Sequence, residues 1–449
     1  VILCPRGRQG ALLLPNTVTR IAANAFADCD DLTSIGIPGS VREIPSGVFD
    51  DCDGLQNIVV AADNPAFASV DGTLVDRSTG TVILCPRGRQ GALLLPNTVT
   101  RIAANAFADC DGLTSIVIPG SVKEIPSGAF DDCDGLQSVV IESGVEVIGE
   151  FVWHIETLPR PVRPEFVIDA YGAFQGCSAL RSISIPGSVK RIGPGVFDGC
   201  VSLTTVTLGV GVKTIGGAWQ PDQVGAFSRC TSLTNIMIPE SVTSIDGSSF
   251  ARCTSLASIA VSPSSTTYAS LDGILTNKSG TTILVCPPGR TGSLTLPATI
   301  TSLARFAFDG CRNLTAIRFL GNAPSFEANV FDDAGKSTIY YRADTSGWSN
   351  PFAGRPAETF AIAPTSPTAV AAVPGNARAS LGWQAPSSTG GSPVTDFTVQ
   401  YSSDGGARWT TFPDGTSTAN SATVTGLTNG TRYVFRVAAV NAAGTGGWS

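Results

Sequence analysis

Cysteine is the residue type in this sequence that is best suited to chemistry, because a thiol can bind a metal ion, form a disulfide or attack a substrate. The chain has 12 cysteines and a single histidine in 449 residues. Nine cysteines end a Phe-x-x-Cys phrase that follows a small residue or valine, at Cys29, Cys52, Cys110, Cys133, Cys177, Cys200, Cys230, Cys253 and Cys311. The other three, Cys4, Cys85 and Cys286, each precede a proline. Since every cysteine recurs at an equivalent place in a repeat, we expect them to belong to a scaffold.

The spacing of these cysteines does not match a metal site. No Cys-x-x-Cys pair occurs, and with one histidine a zinc site would have to collect ligands from several repeats. We therefore expect no metal and no cofactor, and we expect the thiols to behave as small buried apolar groups. Disulfides between stacked neighbours about 5 Å apart remain an open alternative.

Two further motifs resemble ligand sites but lack required residues. Gly335–Ser337 resembles the end of a phosphate-binding loop, but Val330 stands where that loop needs its first glycine. The acidic segments Asp50–Gly54 and Asp131–Gly135 suggest calcium, yet Ala62 occupies the position of the distal glutamate of an EF-hand loop. We expect these carboxylates to be solvated turn residues.

The sequence also lacks the residue patterns of a nucleophilic catalytic site. No Gly-x-Ser-x-Gly sequence is present, and His154 is the only imidazole that could act as a base. The sequence therefore predicts that the chain is not an enzyme.

The composition limits the classes of partner. The formal net charge is -7, which argues against nucleic acid, because such proteins usually carry a basic stripe. No apolar run approaches the roughly 20 residues of a transmembrane helix, so we expect no transmembrane segment.

The elements that must position these residues repeat along the chain. Residues 1–60 recur at 82–141 with 53 of the 60 positions identical, and a shorter period of 23 residues continues beyond them. In each coil, Leu-x-x-Ile-x-Ile predicts a short strand with alternate residues inward, which a proline ends. Val-x-x-Ile predicts a second inward-facing segment, and Phe-x-x-Cys-x-x-Leu suits one helical turn. One coil cannot bury its apolar face alone, so the pattern predicts a solenoid of stacked coils.

This pattern closely resembles the BspA-like (Treponema pallidum-type) leucine-rich repeats. The resemblance covers residues 1–362, and we expect the array to be truncated at its N-terminus. It implies hairpin insertions near 62–90 and 262–292, where Asp71-Gly72 and Asp272-Gly273 are turn signals, and a closing coil at 314–362. The expected fold is a leucine-rich-repeat solenoid of short parallel strands plus helical or irregular turns.

A composition change marks a second domain. Residues 363–367 form a linker, and residues 368–449 have alternating strands that resemble a fibronectin type III domain, an all-β immunoglobulin-like sandwich. The resemblance rests on Trp383, Tyr401, Leu427 and Tyr433, and the last two stand at the tyrosine-corner positions. We expect the last strand to follow Trp448 and to be incomplete.

Two surfaces are candidates for binding. The outward strand positions are small, hydroxylated and almost uncharged, as at Ser182, Ser184, Thr205, Thr207, Asn235 and Met237. Two insertions offer stronger anchors, at Trp153, His154, Arg160 and Arg163 in residues 150–171 and at Trp219 in residues 216–224. The repeated basic tips Arg6/Arg8, Arg87/Arg89 and Arg290 are a third, weaker candidate.

The resemblance implies a bacterial cell-surface or secreted protein that uses its solenoid for adhesion or for binding a protein or glycan ligand on a surface or matrix. The alternative is a structural spacer that displays a catalytic or binding domain outside these residues, such as a polysaccharide-acting enzyme.

Overall fold

The computed structural model describes residues 8–45, 47–149, 172–217 and 224–449. The chain divides into two compact units. The first comprises residues 1–291, 302–313 and 326–335, and the second comprises residues 292–301, 314–325 and 336–449. The domain boundaries given above at 362/363 and 367/368 stay predictions.

The strands up to residue 360 are four to six residues long or only two residues long, and the two kinds alternate from β7 to β19. The first are β1 Gly10–Leu13, β2 Leu32–Ile37, β3 Asn57–Val60, β4 Phe67–Val70, β5 Thr73–Asp76, β6 Thr81–Leu84, β7 Gly91–Leu94, β8 Arg101–Ile102, β9 Leu113–Ile118, β10 Glu124–Ile125, β11 Ser138–Ile141 and β12 Val147–Ile148. Then come β13 Ser182–Ile185, β14 Arg191–Ile192, β15 Thr205–Leu208, β16 Thr214–Ile215, β17 Asn235–Ile238, β18 Ser244–Ile245, β19 Ser258–Val261 and β20 Tyr268–Leu271. The last are β21 Ile274–Asn277, β22 Thr282–Val285, β23 Gly292–Leu296, β24 Ser302–Leu303, β25 Leu314–Phe319, β26 Ser325–Phe326, β27 Thr338–Arg342 and β28 Ala357–Phe360.

The longer strands stack as parallel ladders. One sheet has the order β15-β13-β11-β9-β7, and its neighbours pair in parallel. Within β13, Ile183 and Ile185 are buried, whereas Ser182 and Ser184 are exposed. This alternation confirms the predicted inward-facing strand.

The Val-x-x-Ile segments form a second parallel ladder of two-residue strands, in the order β10-β12-β14-β16-β18. Ile125, Ile148, Ile192 and Ile215 in this ladder are fully buried. Each coil therefore contributes two inward-facing segments, as the sequence predicts.

The Phe-x-x-Cys segments are mostly irregular turns, not the expected helical turns. One coil has a short 3-10 helix, Gly247–Phe250, and it is the only helix among the described residues. The residue before the cysteine has a positive φ throughout, at Asp28, Asp51, Asp109, Asp132, Gly176, Gly199, Arg229, Arg252 and Gly310. An α-helix needs consecutive residues near φ −63°, so this single left-handed residue stops helix growth.

The cysteines form a ladder of thiol hydrogen bonds through the core. The eleven described cysteines are buried, and none of them forms a disulfide. The Sγ–H of Cys177 donates to the carbonyl of Phe130 in the preceding coil at 3.2 Å, and Cys253 donates to the carbonyl of Phe227 at 3.0 Å. The same contact is made by Cys52, Cys133, Cys200 and Cys230. The thiols thus fill the predicted apolar slot and also satisfy a buried carbonyl.

The Cys-Pro phrases continue this ladder where a hairpin interrupts it. Cys110 donates to the carbonyls of Cys85 and Pro86, at 3.8 and 3.7 Å, in place of a phenylalanine carbonyl. The later coil repeats this arrangement, with Cys311 donating to Cys286 and Pro287. Both kinds of recurring cysteine are therefore parts of one scaffold.

The hairpins form where the Asp-Gly turns predict them. β4 pairs antiparallel with β5, and β20 pairs antiparallel with β21. Asp71 and Gly72 have φ values of 45° and 83°, and Asp272 and Gly273 have φ values of 48° and 79°. Two successive positive φ values define the type I′ turn that joins twisted strands closely.

The second unit contains a parallel sheet, β23-β25-β27-β28, and a seven-stranded sandwich. The sandwich strands are β29 Thr368–Gly375, β30 Arg378–Gln384, β31 Asp396–Ser402, β32 Thr410–Phe412, β33 Ser421–Thr425, β34 Val434–Asn441 and β35 Gly444–Thr445. They form two sheets, β29-β30-β33 and β32-β31-β34-β35. The hydroxyl oxygen of Tyr433 accepts a hydrogen bond from the N–H of Thr428 at 3.1 Å, which is the predicted tyrosine corner.

The seventh strand lies earlier than expected. β35 precedes Trp448, whereas the sequence predicts that this strand follows that residue. The side chain of Asn441 accepts from the N–H of Ala443, and Gly444 has a φ of 127°. These features turn the chain back at once, so it pairs with β34 before it reaches Trp448.

Candidate binding face

The outward residues of the longer strands form two columns in register. The first runs through Ala92, Ser115, Ser138, Ser182 and Thr205. The second runs through Leu94, Val117, Val140, Ser184 and Thr207. β17 and β19 have residues at the equivalent outward positions. Asn235 pairs with Ser258 at the first position, and Met237 pairs with Ala260 at the second. We call the described outward residues of β7, β9, β11, β13, β15, β17 and β19 the strand face.

Six of the predicted binding residues lie on the strand face. Ser182, Ser184, Thr205, Thr207, Asn235 and Met237 are all exposed on β13, β15 and β17. Direct register brings Ser182 beside Thr205 and Ser184 beside Thr207. The structure therefore places these residues together, while their role in binding stays a proposal.

The five insertion residues fall outside the described residues. Trp153, His154, Arg160 and Arg163 lie in the segment 150–171, and Trp219 lies in the segment 218–223. Their candidacy as binding anchors stays a prediction.

The strand face is more apolar than the sequence predicts. Leu94 is 66% exposed, Val140 is 50% exposed and Met237 is 53% exposed. Sequence reasoning missed Leu94, because the run of leucines at 93–95 hides which residue faces outward. Strict alternation from the buried Leu93 would have identified it.

The Phe-x-x-Cys turns of the duplicated coils, which end at Cys29, Cys52, Cys110 and Cys133, form an acidic edge. Arg87 lies among three carboxylates of this edge, at 2.8 Å from Asp51, 3.5 Å from Asp53 and 3.0 Å from Asp109. Asp131 does not fit the expectation of a solvated turn carboxylate. Its Oδ1 is buried without a hydrogen-bond partner, and burial together with the nearby charges of Asp132 and Asp109 raises its pKa to about 7.

A cleft of about 890 Å³ lies on the turn side of later coils in the first unit. Two of the arginines that line it are paired with carboxylates. Arg229 donates from Nε to Oδ1 of the buried Asp198 at 2.8 Å, and a second hydrogen bond joins Nη2 to Oδ2. Arg252 lies 3.7 Å from Asp333. This internal pairing makes the cleft a less favourable ligand site than the strand face.

Two arginines of the basic tips are hydrogen-bonded to the turns of the neighbouring hairpins. Arg89 and Arg290 each donate to the backbone carbonyl and the carboxylate of the aspartate in the Asp-Gly turn, Asp71 and Asp272 respectively. Their side chains are only 14% and 19% exposed. These contacts give the two arginines a structural role, which weakens the third candidate surface.

The thiols are poorly suited to nucleophilic attack. Burial raises the pKa of Cys253 to about 12 and the pKa of Cys230 well above its usual value. No group of three or more His, Cys, Asp or Glu side chains in the described parts of the chain is arranged to hold a metal ion. No helix in those parts is long and apolar enough to cross a membrane.

Family models match most of the chain. A model of the BspA type leucine rich repeat region, in six copies, matches residues 10–68, 91–160, 168–271 and 290–347. A fibronectin type III model matches residues 363–449.

Several solved structures are similar to parts of this chain. The pneumococcal vaccine antigen PcpA is 22% identical, with 61% of this chain and 67% of that chain covered and a TM-score of 0.46. A leucine rich cell surface protein from Faecalibacterium prausnitzii is 21% identical, covering 79% of this chain and 70% of that one at a TM-score of 0.36. The T. pallidum leucine rich repeat protein is 26% identical, covering 51% and 86% at a TM-score of 0.27.

The repeated strand, Val-x-x-Ile segment and Phe-x-x-Cys turn are the structural counterpart of the matched repeat model. The chain therefore belongs to the BspA type leucine-rich repeat family, and it carries a fibronectin type III domain.

Proposed function

We propose that this chain is a non-enzymatic module for binding proteins, outside the cell or at its surface, and that it binds through the strand face. The observation that carries the proposal is an apolar column in which the exposed Leu94 and Val140 flank the half-buried Val117, beside a column of mostly small hydroxyl residues. Removing apolar side chains from water contributes roughly 25 cal/mol per Å², so a partner gains by covering this column.

The chemistry of the face favours a protein over a charged polymer. Its described residues carry no formal charge, so binding should depend on shape and apolar contact. An association of this kind responds weakly to salt, because there are few ion pairs to screen. The location outside the cell and the role in adhesion are proposed from the family alone.

Binding of the full chain to an immobilised panel of purified serum proteins, matrix proteins and polysaccharides tests this proposal. We expect binding to at least one protein. The double substitution Leu94→Glu with Val140→Glu should weaken it about tenfold or more, because it puts charge into a desolvated interface. The matched control is Val210→Glu, since Val210 is also 66% exposed but lies in the turn after β15.

Three results would contradict the proposal. These are equal binding by the double variant and the wild-type chain, capture of polysaccharides alone, and no binding to any panel member. The last result would favour the spacer alternative.

A further inference from the structure

The loops at one end of the fibronectin type III domain are engaged within the second unit. Asn441, at the end of β34, is only 5% exposed. Its Nδ2 donates two hydrogen bonds of 2.7 Å, one to the carbonyl of Thr389 and one to the carbonyl of Ile362, just after β28. A buried amide with both donors used and its oxygen bonded to Ala443 is a fully satisfied anchor.

The loop between β30 and β31 makes a second set of contacts. Ser388 donates from Oγ to Oδ2 of Asp344 at 2.8 Å and accepts a hydrogen bond from Arg342 at the end of β27. Arg342 and Asp344 also pair with each other, and their side chains are only 16% and 28% exposed. Charge-assisted contacts of this kind fix geometry well when they are partly shielded from water.

Backbone contacts complete the arrangement. The N–H of Ile362 donates to the carbonyl of Gly390 at 2.7 Å, and the N–H of Thr365 donates to the carbonyl of Ser388 at 3.0 Å. A Cβ at Gly390 would lie 1.9 Å from the carbonyl oxygen of Ile362. A Cβ at Gly446 would lie 2.1 Å from the carbonyl oxygen of Pro364. Glycine is therefore required at both places for the backbones to approach so closely.

We infer that the fibronectin type III domain caps the closing strands β27 and β28, and that its loops 387–391 and 441–447 form an intramolecular docking surface. Solenoid arrays require a terminal cap, and β28 is the last strand of its sheet. The docked loops contact the chain at the ends of β27 and β28, where they can supply that cap. Loops docked in this way are not available to bind an external ligand.

The cap also gives the linker a defined conformation. Residues 363–367 lie between the docked loops, with Thr365 hydrogen-bonded to Ser388 and Pro364 in contact range of Gly446. A fixed joint would hold the domain against the closing strands. This inference stands independently of the function proposed for the strand face.

Hydrogen exchange of the full chain, followed by mass spectrometry, tests the cap. We expect Asn441→Ala to speed amide exchange in residues 338–342 and 357–362 about tenfold, because lost docking lets these strands open locally. The matched control is Asn429→Ala at the other end of the domain, where the side chain of Asn429 bonds to Asn376 and Ala377. The control should leave those closing-strand amides within about twofold of wild type.

A second variant keeps the test decisive if Asn441→Ala disturbs the sandwich itself. Ser388→Ala removes the contacts to Asp344 and Arg342 from a half-buried loop position. Exchange in β31 and β34 reports whether the sandwich is intact. Faster exchange in the closing strands with β31 and β34 unchanged supports the cap. Unchanged exchange in the closing strands of both variants overturns it.

Discussion

Asp131 is a carboxylate of the acidic edge whose surroundings disfavour its ionised form. Its pKa is raised to about 7 by burial and by the charges of Asp132 and Asp109. A group whose pKa is higher in the folded state favours folding while it is protonated. Its contribution is complete below the unfolded pKa of about 4 and is lost as the pH rises through about 7.

Asp131→Asn should therefore stabilise the chain at pH 8 and flatten the dependence of stability on pH between about 4 and 8. We expect a gain on the order of 1 kcal/mol in the free energy of unfolding at pH 8, because Asp131 is partly exposed and solvent screens its charge. Denaturant unfolding at both pH values measures it. Asp50→Asn is the control, since Asp50 is the equivalent, exposed residue of the first copy. Equal effects of the two substitutions would refute this account of Asp131.

The cysteines show what sequence can predict at this scale. Their recurrence with a scaffold motif predicted burial, and the structure confirms it for the eleven described thiols. The hydrogen bond from Cys177 to the carbonyl of Phe130 was not predictable, because it joins residues 47 positions apart. Such a bond depends on how one coil stacks on the next, which the pattern within a single coil does not specify.

At the scale of the elements, the Asp-Gly turns correctly located the two hairpins. The sequence did not predict the arginine clamp, in which Arg89 and Arg290 each hydrogen-bond to the aspartate of such a turn. Arg290 reaches back 18 residues to Asp272, so no local pattern identifies it as a partner of the turn. The recurrence of the same contact between Arg89 and Asp71 indicates that the clamp is a regular part of each hairpin.

Arg290→Ala should loosen the second hairpin. The substitution removes hydrogen bonds to the carbonyl and carboxylate of Asp272, and we expect a loss of roughly 1 kcal/mol, because the carboxylate is largely exposed to water. Amide exchange in β20 and β21 should rise accordingly. Lys278→Ala, an exposed position in the other turn of the same element, is the control. Similar exchange in both variants would show that the clamp does not stabilise the hairpin.

At the scale of the whole molecule, repetition made the architecture predictable. The two strand rows and the recurring cysteines could be deduced from residue spacing, and the fibronectin-like strands were predicted from their alternation and a family resemblance. The face itself was predicted only in part. Hydroxyl positions such as Ser182 and Thr205 were identified, whereas Leu94 was missed, because a run of apolar residues does not show which of its members point outward. The turn conformation was also missed, because it depends on one left-handed residue before each cysteine.

Hydroxyl-radical footprinting of the chain with a panel protein that it binds is the most direct test of the strand face. Met237 is the only methionine of the chain and is 53% exposed on this face, so its oxidation is a built-in reporter. The account predicts that a bound partner slows oxidation of Met237, with Val210 as an off-face reference. Oxidation of Met237 at the same rate in the free and bound chain would contradict binding through this face.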